Sequence, residues 1–310
     1  MNRNQKRVLF YFCLGAFLIL SSLVSLYALG YRYDFVNADL QKTGSLHASV
    51  SREAKVFVNG KYEGDTSVFG DSFSKNRLAP REYKLEINAE GYNTWQKTAI
   101  VREGLLTDFA SVYLVKKNIT PVEEDPEIVG ISFINDALIV DIDDAESITD
   151  KLNINSSAIY KAEQKYGTWY VLTTNRNFYT ITGDEVIKFD FNVQDFSFDN
   201  SESKIVWFTT NEVWIEWLRD TTHQPLKIRG DKEFIYRSRE PIVSTQWFST
   251  DEHILVAHGS KLELIEIDGR GGRNIFTIFQ HVGIKKMIYD PDINEILVSY
   301  EKSIASLPLE

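Results

Sequence analysis

The pattern of apolar and polar positions divides the chain into an uncharged apolar run near the N-terminus and a long region of short alternating segments. Residues 8–29 read VLFYFCLGAFLILSSLVSLYAL and contain no charged side chain. A helix of this length measures about 33 Å, which is enough to cross the roughly 30 Å hydrocarbon core of a bilayer. Beyond residue 44 the apolar positions alternate with period two, as in β-strands buried on one face. The pattern predicts one transmembrane helix followed by an all-β chain.

The charges beside the apolar run predict its orientation. Arg3, Lys6 and Arg7 precede the run, whereas Arg32 beyond it is offset by Asp34. Lysine and arginine accumulate on the cytoplasmic flank of a membrane span. We therefore expect residues 1–7 to form a cytoplasmic tail, residues 8–29 a single-pass anchor in the cell membrane, and the bulk of the chain to be extracytoplasmic.

A cleaved signal sequence is the alternative to a permanent anchor. Ala28-Leu29-Gly30 offers small residues at cleavage-like spacing, but the apolar run exceeds the usual length of about 7 to 15 residues. A lipoprotein signal is disfavoured because Tyr11 and Phe12, rather than small residues, precede Cys13.

Composition narrows the class of protein. The chain has 310 residues, which suits more than one domain, and a formal net charge of −10 with no basic run beyond the N-terminus. Nucleic acid as a partner is therefore excluded, because its phosphates require a basic surface. Cys13 is the only cysteine, so the predicted exterior has no disulfide, which fits a bacterial or archaeal envelope.

Residues 30–43 show no periodicity and are predicted to be a spacer. After them, Asn59-Gly60 stands between alternating residues and predicts a tight hairpin, since both turn positions require positive φ. Further strands are expected at 83–88, 94–101 and 112–115, with a polar loop at 67–79. Residues 44–116 are therefore predicted to form a small antiparallel β-sandwich.

The same region resembles a known family. The residues that carry the resemblance are, in order, Val56-Phe57-Val58-Asn59-Gly60, Gly64-Asp65-Thr66, Leu78-Ala79-Pro80-Arg81-Glu82-Tyr83, Glu90-Gly91-Tyr92 and Trp95. Together they look like the PEGA domain of bacterial and archaeal surface proteins over residues 43–116. Ser67 and Arg81 depart from the proline and glycine common in that family. The resemblance implies a non-catalytic spacer or binding module beside a membrane anchor.

Residues 117–127 contain two prolines and several charges and are predicted to be an extended linker. Beyond it, residues 128–310 repeat a phrase made of an aromatic residue, an Asp or Asn turn and an apolar strand. The four copies begin at Ile131, Phe196, Gln246 and Met287. Phe198 to Phe248 and Phe248 to Tyr289 are intervals of 50 and 41 residues, the size of one four-stranded propeller blade.

An extra blade without the aromatic phrase is expected at 168–181, so four or five blades are predicted. Residues 262–279 are the clearest unit and look like the blades of TolB-type or WD40-like propellers. A partial ring or an open stack of twisted sheets is the competing arrangement, because about 180 residues is close to the smallest propeller.

Candidate metal ligands are few. Asp290, Asp292 and Asn294, with Glu301 at the twelfth position, imitate a calcium loop, but Glu295 replaces the glycine that such a loop needs. Because the turns at Asp199 and Asp251 repeat this pattern, we interpret it as a structural turn.

Two further groups of candidate ligands are also interpreted structurally. The acidic cluster of Asp141, Asp143, Asp144 and Glu146 is expected to be a solvated turn. His253 and His258 flank a strand and are expected at the surface or in turns. We therefore predict no metal site.

The sequence also contains no recognisable catalytic motif. The chain has no Gly-x-Ser-x-Gly elbow, and the neighbours His258 and Ser260 alone do not define a triad. Residues 269–272 are too short for a phosphate-binding loop and predict a turn. No catalytic residue, cofactor-binding residue or cofactor is predicted.

Trp214 and Trp217 fall on opposite strand faces, and packing between blades is favoured over a sugar-stacking platform.

These observations predict a membrane-anchored extracytoplasmic binding or scaffolding protein that contacts protein or glycan partners through its β-domains. The alternative is an envelope polysaccharide hydrolase or lyase with acidic residues in the propeller mouth, because paired carboxylates from distant strands leave no local spacing. An anchored sensor is the least favoured, since only seven residues precede the apolar run.

Overall fold

The computed structural model describes residues 2–34, 38–66, 71–124, 142–301 and 303–309. The chain is mostly β and forms two compact units. Unit 1 comprises Met1–Ala89, Thr94–Leu114 and Arg270–Gly272, and unit 2 comprises Glu90–Asn93, Val115–Gly269 and Arg273–Glu310.

The chain begins with helix α1 (Arg3–Ala28). Asn2 caps it through a capping box with Gln5, which starts the helix five residues before the apolar run. No side chain of α1 is buried, and the mean hydropathy of its best window is 2.2. It is the one helix among the described residues that is long and apolar enough to cross a membrane.

A short hairpin of β1 (Tyr31–Asp34) and β2 (Asp39–Lys42) follows the helix. The segment predicted to be a spacer therefore contains two strands, which are not evident from the sequence because four residues are too few to show an alternating pattern. Thr43 fixes the base of the hairpin, since its backbone N and its Oγ1 donate to the Gly30 carbonyl oxygen at 2.8 and 2.7 Å.

Unit 1 also contains two sheets, one of three strands and one of four. Their strands are β3 (Gly44–Val50), β4 (Lys55–Val58), β5 (Lys61–Asp65), β6 (Ser72–Leu78), β7 (Glu82–Asn88), β8 (Trp95–Ile100) and β9 (Leu106–Val112). The strand orders are β6-β3-β9 and β5-β4-β7-β8. The predicted hairpin at Asn59-Gly60 is confirmed, with φ values of 52° and 75°.

Three details of unit 1 differ from the sequence prediction. β3 and β9 are parallel, so the sandwich is not purely antiparallel. Ser72–Leu78, within the predicted polar loop at 67–79, forms strand β6. Only Phe73 and Leu78 of this strand are buried, and its other residues are polar, so the sequence shows no strand pattern there. The last strand is Leu106–Val112 rather than 112–115, although Leu114 and Val115 are buried.

In the part of unit 2 that the structure describes, the strands form four antiparallel sheets of four strands each. Its strands are β10 (Val122–Glu124), β11 (Ile159–Lys165), β12 (Thr168–Thr173), β13 (Asn177–Thr182), β14 (Glu185–Phe191), β15 (Val193–Phe198), β16 (Lys204–Thr209), β17 (Glu212–Trp217), β18 (Lys232–Arg237), β19 (Ile242–Trp247), β20 (His253–His258), β21 (Lys261–Glu266), β22 (Ile275–Gln280), β23 (Ile284–Asp290), β24 (Glu295–Tyr300) and β25 (Ser303–Pro308). Sheet 1 is β11–β14, sheet 2 is β15–β18, sheet 3 is β19–β22, and sheet 4 has the order β10-β25-β24-β23.

The sheets of unit 2 are arranged like propeller blades. One edge strand from each of sheets 2, 3 and 4 lies beside the next, with β19 between β15 and β23. The repeated phrase spans the hairpin from the first strand to the second in these three sheets, and the extra blade expected at 168–181 is sheet 1. The first copy of the phrase, at 131–140, lies outside the described residues.

The predicted linker at 117–127 is wrong in part, because β10 pairs with β25 and completes sheet 4 from the other end of the unit. This three-residue strand lies between Pro121 and Pro126. It is held by backbone hydrogen bonds, and three residues are too few to show an alternation of apolar and polar side chains in the sequence. The predicted acidic turn is also wrong: Asp143, Asp144 and Glu146 belong to helix α2 (Ile142–Leu152), and Asp141 lies outside the described residues. Ile148 and Leu152, four residues apart, pack the helix against Val171 and Ile181 of sheet 1.

Candidate binding groove in unit 2

Sheets 1 and 2 share an aromatic core that fills only part of the space between them. Phe178 stacks on Phe196 with ring centres 4.8 Å apart, and Phe189 meets Trp207 edge to face at 4.9 Å. Tyr170 and Leu218 form one border of this core. Beyond them the two sheets separate and leave a groove.

The groove has a volume of about 380 Å³, within the range of small-ligand sites. Its walls are the strands β12 to β14 of sheet 1 with the turn that precedes them, and the strands β17 and β18 of sheet 2 with the segment between them. The lining residues are Lys165, Tyr166, Thr168, Tyr170, Thr180, Thr182, Ile187, Phe189, Glu216, Leu218, Arg229, Gly230 and Lys232.

One wall of the groove is a patch of hydroxyl groups on sheet 1. Strand pairing places Thr168 opposite Thr182 and Tyr170 opposite Thr180, so all four side chains share one face. The two threonine hydroxyls at 168 and 182 are 2.9 Å apart. Burial raises the pKa of Tyr170 to about 12, which keeps its phenol protonated and able to donate. This wall can hydrogen-bond a polyhydroxylated ligand.

The opposite wall carries most of the charge. Glu216 Oε2 is 3.6 Å from the Lys232 ammonium, an ion pair too long for a hydrogen bond. Burial raises the pKa of Glu216, and the charges of Lys232 and Arg229 only partly oppose this effect. The Lys232 ammonium also lies 3.4 Å from the centre of the Phe189 ring. Lys165 pairs at 2.6 Å with Glu202, outside the groove.

The described lining therefore holds three cationic side chains and one carboxylate, in a chain whose net charge is −10. A local positive charge in an acidic protein concentrates anions at that site. Together with the hydroxyl wall and the rings of Tyr166, Tyr170 and Phe189, this charge suits a ligand that has hydroxyl groups, an apolar face and at least one acidic group.

The groove was not predicted from the sequence, although the polar residues of one of its walls lie close together in the sequence. Thr168 and Tyr170, like Thr180 and Thr182, occupy the same face of neighbouring strands, which placed polar groups on a face otherwise apolar. Glu216, by contrast, lies between Trp214 and Trp217 in the sequence, and no local pattern distinguishes it. Trp214 stacks on its cross-strand partner Trp207 of sheet 2 with ring centres 6.4 Å apart and packs against the core shared by sheets 1 and 2. Trp217 is buried in the core between sheets 2 and 3. Both tryptophans pack between blades, as predicted.

The two candidate histidines are not at the surface, so that prediction is wrong. His253 and His258 face the interior at the two ends of β20, and they are 1% and 6% exposed. His253 Nδ1 is 3.0 Å from Thr250 Oγ1. No group of three metal-ligating side chains occurs in the part of the chain that the structure describes.

His258 belongs to a buried polar cluster with Tyr236 and Glu263. Its Nε2 lies 3.0 Å from the Tyr236 hydroxyl and 3.0 Å from Glu263 Oε2. Burial raises the pKa of Glu263, but hydrogen bonds from His258 and Tyr236 outweigh burial and leave that pKa below its usual range. The cluster ties the outer strand of sheet 2 to sheet 3.

The remaining sequence candidates occupy turns. Asp290 Oδ1 accepts a hydrogen bond from the Asp292 backbone N at 3.0 Å, and Asn294 Oδ1 accepts one from the Tyr289 hydroxyl at 3.1 Å. Glu295 begins β24, so the chain continues as a strand where a calcium loop would curve. Residues 269–272 connect β21 to β22, and Ser260 lies in the turn between β20 and β21.

Neither a protein-family model nor a curated protein sequence matches the chain. Among solved structures, it is similar to the β-propeller domain of Swd1 from Myceliophteria thermophila, at 9% identity and a TM-score of 0.39 over 81% of this chain and 87% of that one. It is also similar to Hsv2 from Kluyveromyces lactis, at 11% identity and a TM-score of 0.37 over 77% and 70%.

A gluconolactonase from Xanthomonas campestris matches half of the chain at 10% identity and a TM-score of 0.34, and the match spans 57% of that enzyme. Likenesses this low carry no argument about activity or partner. The propeller-like description of unit 2 therefore stands on the topology of its own four sheets.

Proposed function

We propose that this protein is a non-enzymatic binding protein of the cell envelope, held in the membrane by α1 with both β-units on the extracytoplasmic side. The observation that carries the proposal is the groove between sheets 1 and 2, which combines a hydroxyl wall with three cations. The groove does not favour the hydrolase alternative. Glycoside hydrolysis uses a pair of carboxylates, and the described lining contains one, Glu216.

Unit 1 has the place of a spacer in this proposal. The Asn59-Gly60 hairpin and the buried side chains of Tyr83 and Trp95 support the PEGA resemblance, since these are positions that carry it. We infer that unit 1 is a PEGA-like domain that serves as a spacer or binding module beside the membrane anchor.

The orientation gives the first test. Because Arg3, Lys6 and Arg7 precede the apolar run of α1, protease added outside intact cells is expected to digest both β-units while a cytoplasmic marker survives. The measurement is immunoblotting with one epitope tag after residue 2 and another after residue 310. Protection of the C-terminal tag, even after any outer layer is permeabilised, would show the inverted orientation and contradict the proposal.

The chemistry of the groove favours an acidic glycan over a protein partner. A groove of this volume can enclose a small ligand or one segment of a larger ligand, whereas protein partners usually bind to broad, flatter surfaces. The threonine hydroxyls can exchange hydrogen bonds with sugar hydroxyls, and Arg229 and Lys232 can pair with a carboxylate, sulfate or phosphate group.

Two charge predictions test the groove with a sulfated dextran oligosaccharide, whose charge is independent of pH. Arg229→Gln is expected to weaken binding about tenfold, the effect of one charge-assisted hydrogen bond. Wild-type affinity is expected to rise as the pH is lowered towards the raised pKa of Glu216, because protonation removes the repulsive charge of this carboxylate at a higher pH than for an exposed glutamate. Glu216→Gln removes this rise. The measurement is isothermal titration calorimetry of the full chain in detergent.

The matched control is Arg239→Gln, which removes an exposed arginine outside the groove and is expected to leave affinity unchanged. Neutral dextran serves as the uncharged ligand. Equal binding of sulfated and neutral dextran, or equal losses at Arg229 and Arg239, would contradict an anion-binding groove.

A further inference from the structure

The end of α1 is held against unit 1 by an arginine from a distant strand. Arg77 Nη1 of β6 donates a hydrogen bond to the Tyr27 hydroxyl, and its guanidinium carbon lies 4.1 Å from the centre of the Tyr27 ring. This contact joins residues 50 positions apart in the sequence. It places a cation beside the last turn of a helix that has no basic residue there of its own.

A cavity of about 240 Å³ opens at this junction, lined by Tyr27, Gly30, Tyr31, Arg32, Thr43 and Arg77. The hydrogen bonds from Thr43 to Gly30 fix its base. Arg32 lies on β1 and is exposed, and its side chain has no hydrogen bond or ion pair with any residue that the structure describes. Two guanidinium groups, one of them without a partner among the described residues, therefore line one small cavity.

The depth of this cavity in a bilayer follows from the length of the helix. Val8 to Tyr27 is about 20 residues, or roughly 30 Å of helix, which equals the thickness of the hydrocarbon core. With Val8 at one boundary of the core, Tyr27 lies at the other. Tyrosine is enriched at that depth because its ring is apolar and its hydroxyl is polar. The cavity is thus level with the lipid headgroups.

We propose that this cavity binds the phosphate group of a membrane phospholipid. A guanidinium group has five N–H donors in a planar fork that matches phosphate oxygens, and Arg77 uses one of them on Tyr27. Arg32 supplies the second fork, and the rings of Tyr27 and Tyr31 border the site. The inference rests on the membrane-spanning part of the proposed function and is independent of the groove in unit 2.

The test counts lipids on the full chain purified in mild detergent. With added phosphatidylglycerol, native mass spectrometry is expected to show one lipid retained per chain. Arg32→Gln is expected to lower retention about threefold, and Arg32→Gln with Arg77→Gln at least tenfold. Arg239→Gln, an exposed arginine of unit 2, is the matched control and is expected to retain the lipid as the wild type does. Because the Arg32 side chain makes no hydrogen bond or ion pair with a described residue, its replacement by glutamine is expected to leave the fold intact.

A second arm distinguishes a lipid from free phosphate. Inorganic phosphate at the same concentration is expected not to displace the lipid, because it lacks the acyl chains that lie along α1. Displacement by phosphate alone would make this a soluble-phosphate site and overturn the proposal, as would equal retention by the double variant and the wild type. Carbonate extraction of membranes is done in parallel: release of the wild type would refute the anchor itself, whereas retention in the membrane without a bound lipid would refute only this site.

Discussion

Replacing Asp199 by alanine is expected to lower the free energy of unfolding of unit 2 by about 3 to 5 kcal/mol. Asp199 is 2% exposed, and its Oδ1 accepts hydrogen bonds from the backbone N of Ser203 and Lys204 at 2.6 and 2.8 Å. Its Oδ2 accepts the hydroxyls of Ser201 and Ser203 and lies 3.3 Å from the Lys204 ammonium. The alanine variant leaves this buried ammonium with Glu252 as its remaining ion pair, at 3.3 Å.

The measurement is hydrogen exchange by mass spectrometry in increasing urea, read on peptides from β15 to β18. The matched control is Asp290→Ala, which changes the equivalent turn of sheet 4. Asp290 accepts a backbone hydrogen bond from Asp292 and holds no buried cation, so a loss of about 1 kcal/mol is expected there. Equal losses in the two variants would show that the buried ion pair contributes nothing beyond the turn.

The second large effect is expected at the centre of unit 1. Trp95→Ala should cost about 3 to 5 kcal/mol of the stability of this unit, because it removes a large buried ring and leaves a cavity. The Trp95 side chain is 0% exposed and meets Phe109 edge to face with ring centres 5.3 Å apart. These two residues belong to different sheets, so the ring contact is one that joins the two layers.

The control lies on the same strand. Ile100→Ala removes an apolar side chain from β8, but Ile100 is 50% exposed on the other face, and a loss below about 0.5 kcal/mol is expected. Exchange of peptides in β3, β7 and β8 reports the difference. A loss at Trp95 no larger than that at Ile100 would mean that the core of unit 1 adjusts to fill the cavity.

Features that depend on local chemistry could be predicted from the sequence. The apolar run predicted α1, the Asn59-Gly60 pair predicted its hairpin through positive φ, and the repeated aromatic and Asp phrase marked the turns of sheets 2 to 4. Each of these signals is contained within a few neighbouring residues.

Features that depend on distant pairing could not. β6 and β10 are held by backbone hydrogen bonds to β3 and β25, and their own residues show no alternation. The groove similarly needs a hydroxyl wall from sheet 1 and the Glu216 and Lys232 pair from sheet 2. The polar face of 168–182 was visible in the sequence, but the charged residues opposite it were placed by the tertiary fold.

The pairing of β10 with β25 has a consequence for how the protein is made. About 180 residues separate these two strands, so β10 leaves the ribosome long before its partner is synthesised. Until β25 arrives, sheets 1 to 3 can form from consecutive hairpins, while sheet 4 is missing and the edge that it covers is open to aggregation. Unit 2 therefore depends on β25 to complete sheet 4, and the intermediate that forms before β25 is synthesised is the species that a chaperone would have to protect.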